Sequence, residues 1–461
     1  MTHTLGSPDS PIWFIINSPT EAEFKSGKLF NSAAGKILTA SIRGNRVNKY
    51  FATCLRRSRK DSTAEILNNV IAIKNLYKQF KPAVVVLLGD EPLSLFESIS
   101  SGKVANWRGS FLASSESFPS SLVLPTYTPE TCRRQRFVDK DSHPGQYEML
   151  LWLDIEKACK QLSPSAPTLF FPETKVLESS SEAKALLKQF ISEGKPISYD
   201  LETYQPYSAH FVDCIGLANS LDIGFCIPFY FFNGQRPCPS FPYDDLAEIF
   251  ELLAILMNSS HIEKVAQNSQ FDSGCLQAHY GIETHNLTFD TMVAQQNIFC
   301  DLPKNLGCLT SIYTNTPYHK HLMGEARYVY CALDAVQNLL VRQGEEEQMK
   351  EWDIFEHYKT ITAPTIQPIL QMQLSGVKVD ESKVEDVRSW RHEEVSAIQS
   401  AFDSVLPFSI NPKGKYKINL NSPDQKKFFF NELLGCKPMK VKGKITCNKS
   451  FLKKIEAEGA S

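Results

Sequence analysis

No C-x-x-C pair occurs among the twelve cysteines, which speaks against a disulfide framework and a ribbon-type zinc site and fits a reducing compartment. Long apolar runs are also missing. The stretch Ala83–Leu88 falls far short of the ~20 residues a spanning helix needs, so no membrane association is expected. Met1–Pro11 hold no basic region followed by an apolar one, so a secretory signal is not expected and the cytoplasm is the expected location. No internal repeat is visible, and net charge is slight, -2 over 461 residues. What is present is an ordinary globular mixture, 42% apolar and 22% charged, long enough for about three domains at roughly 150 residues each.

The weak average charge hides a local surplus. From Asn411 to Ser461 twelve lysines and no arginine face Asp424, Glu432, Glu456 and Glu458, leaving +8. Such an end reads either as a solvated lysine-rich tail or as a surface that follows phosphates.

Helix and strand signals divide the chain. Ser62-Thr63-Ala64-Glu65 is a capping box, after which Ile66, Val70, Ile73, Tyr77 and Phe80 recur at helical spacing until Pro82. The β-branched run Ala83–Leu88 follows and ends in Gly89, the pattern of a strand buried on both faces of a parallel sheet. Periodicity vanishes over Gln161–Pro167, a Ser/Pro-rich linker. A second α/β unit begins with a helix capped at Ser179–Glu182 and closed by Gly194 and Pro196; a strand from Ile197 to Leu201 then leads into a hairpin-like pair, Cys214–Leu217 and Gly224–Pro228. From about Glu351 the chain reads as helical and polar before the lysine-rich end.

Carboxylates carry the chemistry. Asp200-Leu201-Glu202 lies on the predicted strand, and period-2 alternation puts both acids on one face, about 7 Å apart by strand rise. Val265-Ala266-Gln267-Asn268-Ser269-Gln270-Phe271-Asp272 runs from a strand end into a helix. Tyr330-Cys331-Ala332-Leu333-Asp334 falls on a helix whose other stripe is Val329, Leu333, Val336 and Leu340, making Tyr330 and Asp334 i,i+4 neighbours. Taken singly, each acid or aromatic reads as an exposed or core residue; the order D-x-E, N-x-x-x-D, Y-x-x-x-D is the signal. That ordered set resembles the DEDDy class of 3′→5′ exonucleases, the proofreading domain of family A DNA polymerases. Phosphodiester hydrolysis by two divalent ions roughly 3.5–4 Å apart calls for hard oxygen ligands that bridge the pair. The resemblance implies two ions, Mg²⁺ or Mn²⁺, held by Asp200, Glu202, Asp272 and Asp334, with Tyr330 orienting the attacking water and Asn268 touching the DNA strand. Phe289-Asp290-Thr291-Met292 and Leu302-Pro303-Lys304-Asn305-Leu306 resemble that family's connecting segments.

Beyond this, Gln373–Asp380 and Ile418–Gln425 look like the segment that opens the thumb of polymerase-I-type enzymes. Locally, Asn421 or Ser422 caps a helix whose first turn holds Pro423, and Lys426 and Lys427 are expected to meet duplex phosphates. Neither the palm carboxylate motifs nor the fingers helix follow before Ser461, so this chain is not expected to synthesise DNA by itself; it resembles the N-terminal part of a polymerase whose palm and fingers are either carried by a second chain or lost by truncation or an interrupting intron.

The N-terminal part has its own resemblance. Trp13–Pro19, Gly27–Leu38, Trp107-Arg108-Gly109 and Leu124–Pro129 look like motifs of the uracil-DNA glycosylase superfamily. That implies a flipped base stacked on Phe30, with Asn17 at the water-positioning site and Thr128 beside the departing base. Departures from the pattern are plain: many members carry Glu in place of Asn17 and His or Asn in place of Thr128, and of their iron-sulfur cysteines only Cys54 is matched. They point to DNA handling or protein docking more than to base excision. Fusion of such a domain to a family A polymerase resembles polymerases of large tailed bacteriophages, for which the location would be the host cytoplasm.

The expected fold class is therefore α/β. A uracil-DNA-glycosylase-like three-layer α/β domain covers 1–162, an RNase H-like (DnaQ-type) exonuclease domain with a mixed sheet covers 168–350, and a mainly helical, incomplete thumb covers 351–461. The expected partners are a single-stranded 3′ end and primer-template DNA. Two other readings stay open: base excision by the N-terminal domain, and a non-catalytic DNA-binding subunit of a split polymerase.

Overall fold

A computed structural model describes residues 4–56, 60–99, 103–138, 145–163, 169–204, 211–233, 236–405, 422–441 and 444–457. The chain divides into two compact units, Met1–Ser375 and Gly376–Ser461.

Among its described residues the first unit contains a two-stranded sheet, Tyr230–Asn233 with Arg236–Pro239, and two large sheets. One is five-stranded, in the spatial order Thr4–Gly6, Phe51–Cys54, Ile12–Ile16, Val84–Leu88, Leu122–Thr126, and is parallel except for its first strand. Ile12–Ile16 and Val84–Leu88 are buried at every position, because helices cover both faces. Phe14, Val86 and Leu124 pack under the helices Gly35–Gly44 and Gln146–Lys160, and Trp13, Val85 and Val123 under Thr63–Phe80. The even and odd residues of each strand thus build two separate cores, the consequence of period 2 in a two-sided sheet. Helix Thr63–Phe80 starts at the Ser62/Glu65 capping box and ends at Lys81 in the left-handed region, just before Pro82.

The other sheet has six strands, ordered Leu287–Asp290, Lys264–Ala266, Ile197–Thr203, Val212–Ala218, Ile223–Pro228, Glu173–Val176. It is mixed: the three central strands run antiparallel to one another, and parallel neighbours flank them on both sides. Helices Ser180–Glu193 and Tyr243–Asn258 bury one face, and helix Arg327–Glu351 buries the other. Residues 164–168, most of the expected linker, lie outside the described residues. Helices between Phe355 and Ser375, grouped in the sequence with the third region, belong to this unit: Tyr358 is buried and its hydroxyl accepts the Asp290 N–H at 2.9 Å.

The two sheets share a buried seam where helix Gln146–Lys160 meets helix Leu306–Tyr313. Leu150, Leu302 and Cys308 form a small common core, and the Trp107 ring lies 4.6 Å from that of Tyr318 and stacks on His321 at 5.7 Å. Polar groups in the seam are paired. Arg108 grips Asp154 through Nε at 3.1 Å and Nη2 at 2.5 Å, and Lys157 donates to the carbonyls of Gly109 and Ser311, each at 2.8 Å.

Burial pushes the Lys157 amine from 10.5 down to about 7, with Asp154 opposing and Arg108 reinforcing the shift. Between those values the unfolded chain binds a proton the folded one does not, so stability rises with pH, by up to about 1.4 kcal/mol per unit. Lys157's contribution is complete above 10.5 and lost as pH falls towards 7. In urea titrations across this window, Lys157→Met is expected to remove that slope. Parallel wild-type and variant curves would show that the amine titrates normally.

In the second unit, taken by itself, the long helix Glu381–Val405 precedes a short one, Pro423–Lys427. Ser422 caps the latter and Pro423 occupies its first turn, as the local sequence implies; Asn421 lies outside the described residues. Phe402, Phe429, Phe430 and Phe451 stack edge to face, and Met439–Val441 pairs antiparallel with Lys444–Thr446. Lys426 and Lys427 stand on the short helix, Lys427 paired with Asp424 at 3.0 Å.

Candidate active site

Asp200 and Glu202 share one face of strand Ile197–Thr203, opposite Gly216 and Cys214 of the neighbouring strand. Helix Arg327–Glu351 crosses the same sheet closely. A Cβ on Gly216 would lie 2.2 Å from the Cys331 carbonyl oxygen, and one on Gly224 2.1 Å from that of Ala332. Only glycine permits this approach. Gly216→Ala is expected to lift the helix, cost about 1–3 kcal/mol, and weaken whatever activity depends on Asp334 facing Asp200. Chemical denaturation alongside activity measurements checks this, and an unchanged variant would mean that the helix has room to spare. The helix is buried more widely than one stripe predicts. Tyr330, Asp334 and Asn338 are inside, while Val329, Leu333 and Leu340 are only partly covered, because helix Leu306–Tyr313 packs on it from a second side.

This packing gathers the acids. One carboxylate oxygen from each of Asp200, Glu202 and Asp334 lies within 4.8 Å of the other two. Asp272 lines the same cleft, but its Oδ1 accepts the Leu201 N–H at 2.9 Å, and it stands outside that tight group. Three of the four expected acids thus form a tight group, and the fourth is held on the strand backbone in the same cleft. Around it a cleft of about 430 Å³ is bordered by Asn268, Phe271, Met292 and Leu306.

Crowded carboxylates resist ionisation. Burial, then the charges of Asp334, Asp272 and Glu202, hold Asp200 well above its ordinary value. Burial raises Glu202 to about 7 although Arg327, 3.3 Å away, opposes this. Asp334 goes the other way. Burial would raise it, but Lys320 and His319 outweigh that and bring it to about 2. The Lys320 ammonium donates to both Asp334 oxygens at 2.8 and 2.6 Å and to the Tyr330 hydroxyl at 2.8 Å, while His319 Nε2 lies 2.6 Å from Asp334. Burial and the Asp334 charge lift the Tyr330 phenol far above its usual range, so it keeps its proton. An all-oxygen anionic cluster that draws an ammonium onto itself has the donor chemistry of a hard divalent cation site.

Sequence reading missed Lys320, His319 and Arg327. It placed Asp290 only in a connecting segment, yet this carboxylate ties the site together. Oδ2 accepts from Ser269 N and Oγ at 2.7 and 2.6 Å, and Oδ1 accepts Asn268 N at 3.2 Å as well as the Met292 and Val293 N–H groups of helix Thr291–Ile298. Asn268 itself sits in the left-handed region, φ 54°, at the start of helix Ser269–Tyr280. The D in F-D-T, directly before the helix, was readable as an N-cap.

The other residue set also converges. Asn17, Phe30 and Thr128 line one cavity of about 60 Å³ with Thr20 and Glu23. Among the described residues the buried Asn17 Oδ1 has no hydrogen-bond partner. Phe30 is only 4% exposed and packs in the core beside that cavity, and Thr128 Oγ1 is engaged by Thr131 at 2.8 Å.

Residues 175–340 match the family model of the DNA polymerase A-type 3′-5′ exonuclease domain. The chain carries a 3′-5′ exonuclease domain. Asp200, Glu202, Asp272, Asp290 and Asp334 all fall inside the matched stretch, and the chain is accordingly an enzyme of the nuclease class. Among solved structures it is similar to the POL domain of Pol1 from M. smegmatis in complex with DNA primer-template and dNTP, at 19% identity and TM-score 0.41, covering 62% of this chain and 45% of that one. It is also similar to the catalytic core of RRP6 from Trypanosoma brucei, at 18% identity and TM-score 0.35, covering 43% of this chain and 53% of that one. The chain thus spans about half the length of these structures. No curated protein matches it.

Proposed function

We propose that this exonuclease domain removes nucleotides one at a time from a single-stranded DNA 3′ end and so proofreads for a family A polymerase in DNA replication. The observation that carries this reading is the convergence of Asp200, Glu202 and Asp334 within 4.8 Å on a strand and a helix far apart in sequence. These three, with Asp272 beside them, would hold the divalent ions, Mg²⁺ or Mn²⁺, which when bound supply a nucleophilic water and neutralise charge on the leaving 3′ oxygen. Tyr330, kept protonated, orients the attacking water through its hydroxyl. Phe271, Met292 and Leu306 offer apolar surface to the terminal base, and Asn268 contacts the strand from the left-handed turn that Asp290 fixes. Lys320 balances the acid cluster until the ions and the DNA phosphate enter.

The test is release of mononucleotides from a 3′-labelled single strand by the full chain with Mg²⁺ or Mn²⁺. Ion-dependent release in the 3′→5′ direction is expected, and no release with either ion would leave only DNA binding. In this reading Lys426 and Lys427 meet duplex phosphates.

A second reading rests on the unpaired Asn17 Oδ1 in the cavity with Phe30 and Thr128. That acceptor fits a base edge or a positioned water, as in uracil excision. Incubation with uracil-containing DNA without metal checks it; no abasic sites would confine the N-terminal sheet to DNA handling or docking.

A further inference from the structure

Behind the acid cluster lies a second group of potential ligands that the exonuclease reading does not use. Cys214 on strand Val212–Ala218, Cys226 on strand Ile223–Pro228 and Cys331 on helix Arg327–Glu351 are all wholly buried, with one sulfur from each within 4.8 Å of the other two. Their surroundings are dry: Ala332, Val176 and Tyr328 pack around them. Cys331 Sγ also donates to the Asp200 carbonyl at 3.5 Å. We propose that these thiols form a structural site for one thiophilic closed-shell cation, Cu(I) or Zn(II), clamped between sheet and helix.

Geometry favours an ion over a disulfide. In the antiparallel pair Cys214 faces Pro228 and Cys226 faces Gly216, so the two strand cysteines are diagonal neighbours. Diagonal residues lie ~7–8 Å apart at Cα, beyond the usual span of a disulfide, and joining any two sulfurs would strand the third. Three thiolates around one ion with metal–sulfur bonds of ~2.3 Å stand about 4 Å from each other, close to the arrangement already present. On binding, each sulfur gives its proton to solvent. Softness sorts the ions: thiolates take Cu(I) or Zn(II), and the oxygen cluster takes harder divalent ions. Because no sulfur reaches solvent, loading accompanies folding. The ion would fasten the helix bearing Tyr330 and Asp334 to the strand that pairs with Asp200 and Glu202 and to the next strand beyond it, a role independent of what the acid cluster does.

The full chain is refolded from denaturant under reducing conditions with Zn(II) or Cu(I), freed of loose ion, and its metal content measured together with the ultraviolet thiolate-to-metal absorption. Wild type and a control at the exposed cysteine, Cys300→Ser, are expected to hold close to one ion with that absorption and to melt higher when loaded. Cys331→Ala, and the triple change Cys214→Ala, Cys226→Ala, Cys331→Ala, are expected to hold almost none. The absorption separates the thiol site from ions held by carboxylates, and wild type decides alone should the variants not fold. Refolded wild type lacking the band with both ions, or a triple variant that keeps it, would overturn the proposal. Which ion gives the band distinguishes copper from zinc.

Discussion

Asp200→Ala combined with Glu202→Ala is expected to lower divalent-ion-dependent nucleotide release from a single strand by at least ~10³-fold, because charge stabilisation at the reacting phosphate is the largest contribution such a site makes. The loss is expected without unfolding. In the absence of divalent ions these two carboxylates are held above their ordinary values by burial and, for Asp200, by the acids around it, so removing them relieves repulsion and the variant should melt no lower than wild type. Adding Mg²⁺ or Mn²⁺ should then raise the melting temperature of wild type alone, since a ligand at 100 times its dissociation constant stabilises by about 2.7 kcal/mol. Equal release by variant and wild type would assign the activity to another site. A variant that is inactive yet still stabilised by the ion would show that the ion sits elsewhere, and Asp334→Asn would then be the next change to make.

Part of this site was legible before any coordinates because its residues obey short periods. Asp200 and Glu202 share a face through strand alternation, and Tyr330 and Asp334 through the helical turn. The approach of those two elements was not legible: it depends on Gly216 and Gly224, whose missing side chains let the helix settle on the sheet, and a glycine inside a strand says only that something comes near. Lys320 and His319 reach Asp334 from a single 3₁₀ turn, Lys320–Met323, and its preceding residue, a segment too short for any periodic signal. Asp272 matched its motif but also accepts the Leu201 amide, since a buried carboxylate is costly unless a donor within reach satisfies it. Two-sided burial of Val84–Leu88 followed directly from its uninterrupted apolar run.

Asp154→Ala is expected to destabilise the first unit by about 3–5 kcal/mol, the largest loss among single changes outside the acid cluster. Its carboxylate is wholly buried in the seam between the two sheets, takes both Arg108 bonds, and accepts the Thr126 hydroxyl at 2.6 Å. Arg108, 5% exposed, also points Nη1 at Cys308 Sγ, 3.3 Å away on the exonuclease side. Truncating the acid leaves a buried guanidinium without its counter-charge, and the penalty is the cost of that orphaned charge more than the worth of the pair. Arg108→Met should cost a similar amount for the mirror reason. The double change Arg108→Met with Asp154→Leu should recover most of either loss, because two apolar side chains need no partner there. Urea midpoints for the four proteins measure the coupling, and 1 M salt should leave it nearly unchanged, since screening hardly reaches a buried pair. If the double variant instead lost the sum of the two single effects, the pair would be uncoupled and solvent would have to reach the seam. In that event the stack of Trp107 on Tyr318 and His321, next to Lys320, would be left to carry the contact between the N-terminal sheet and the acid cluster.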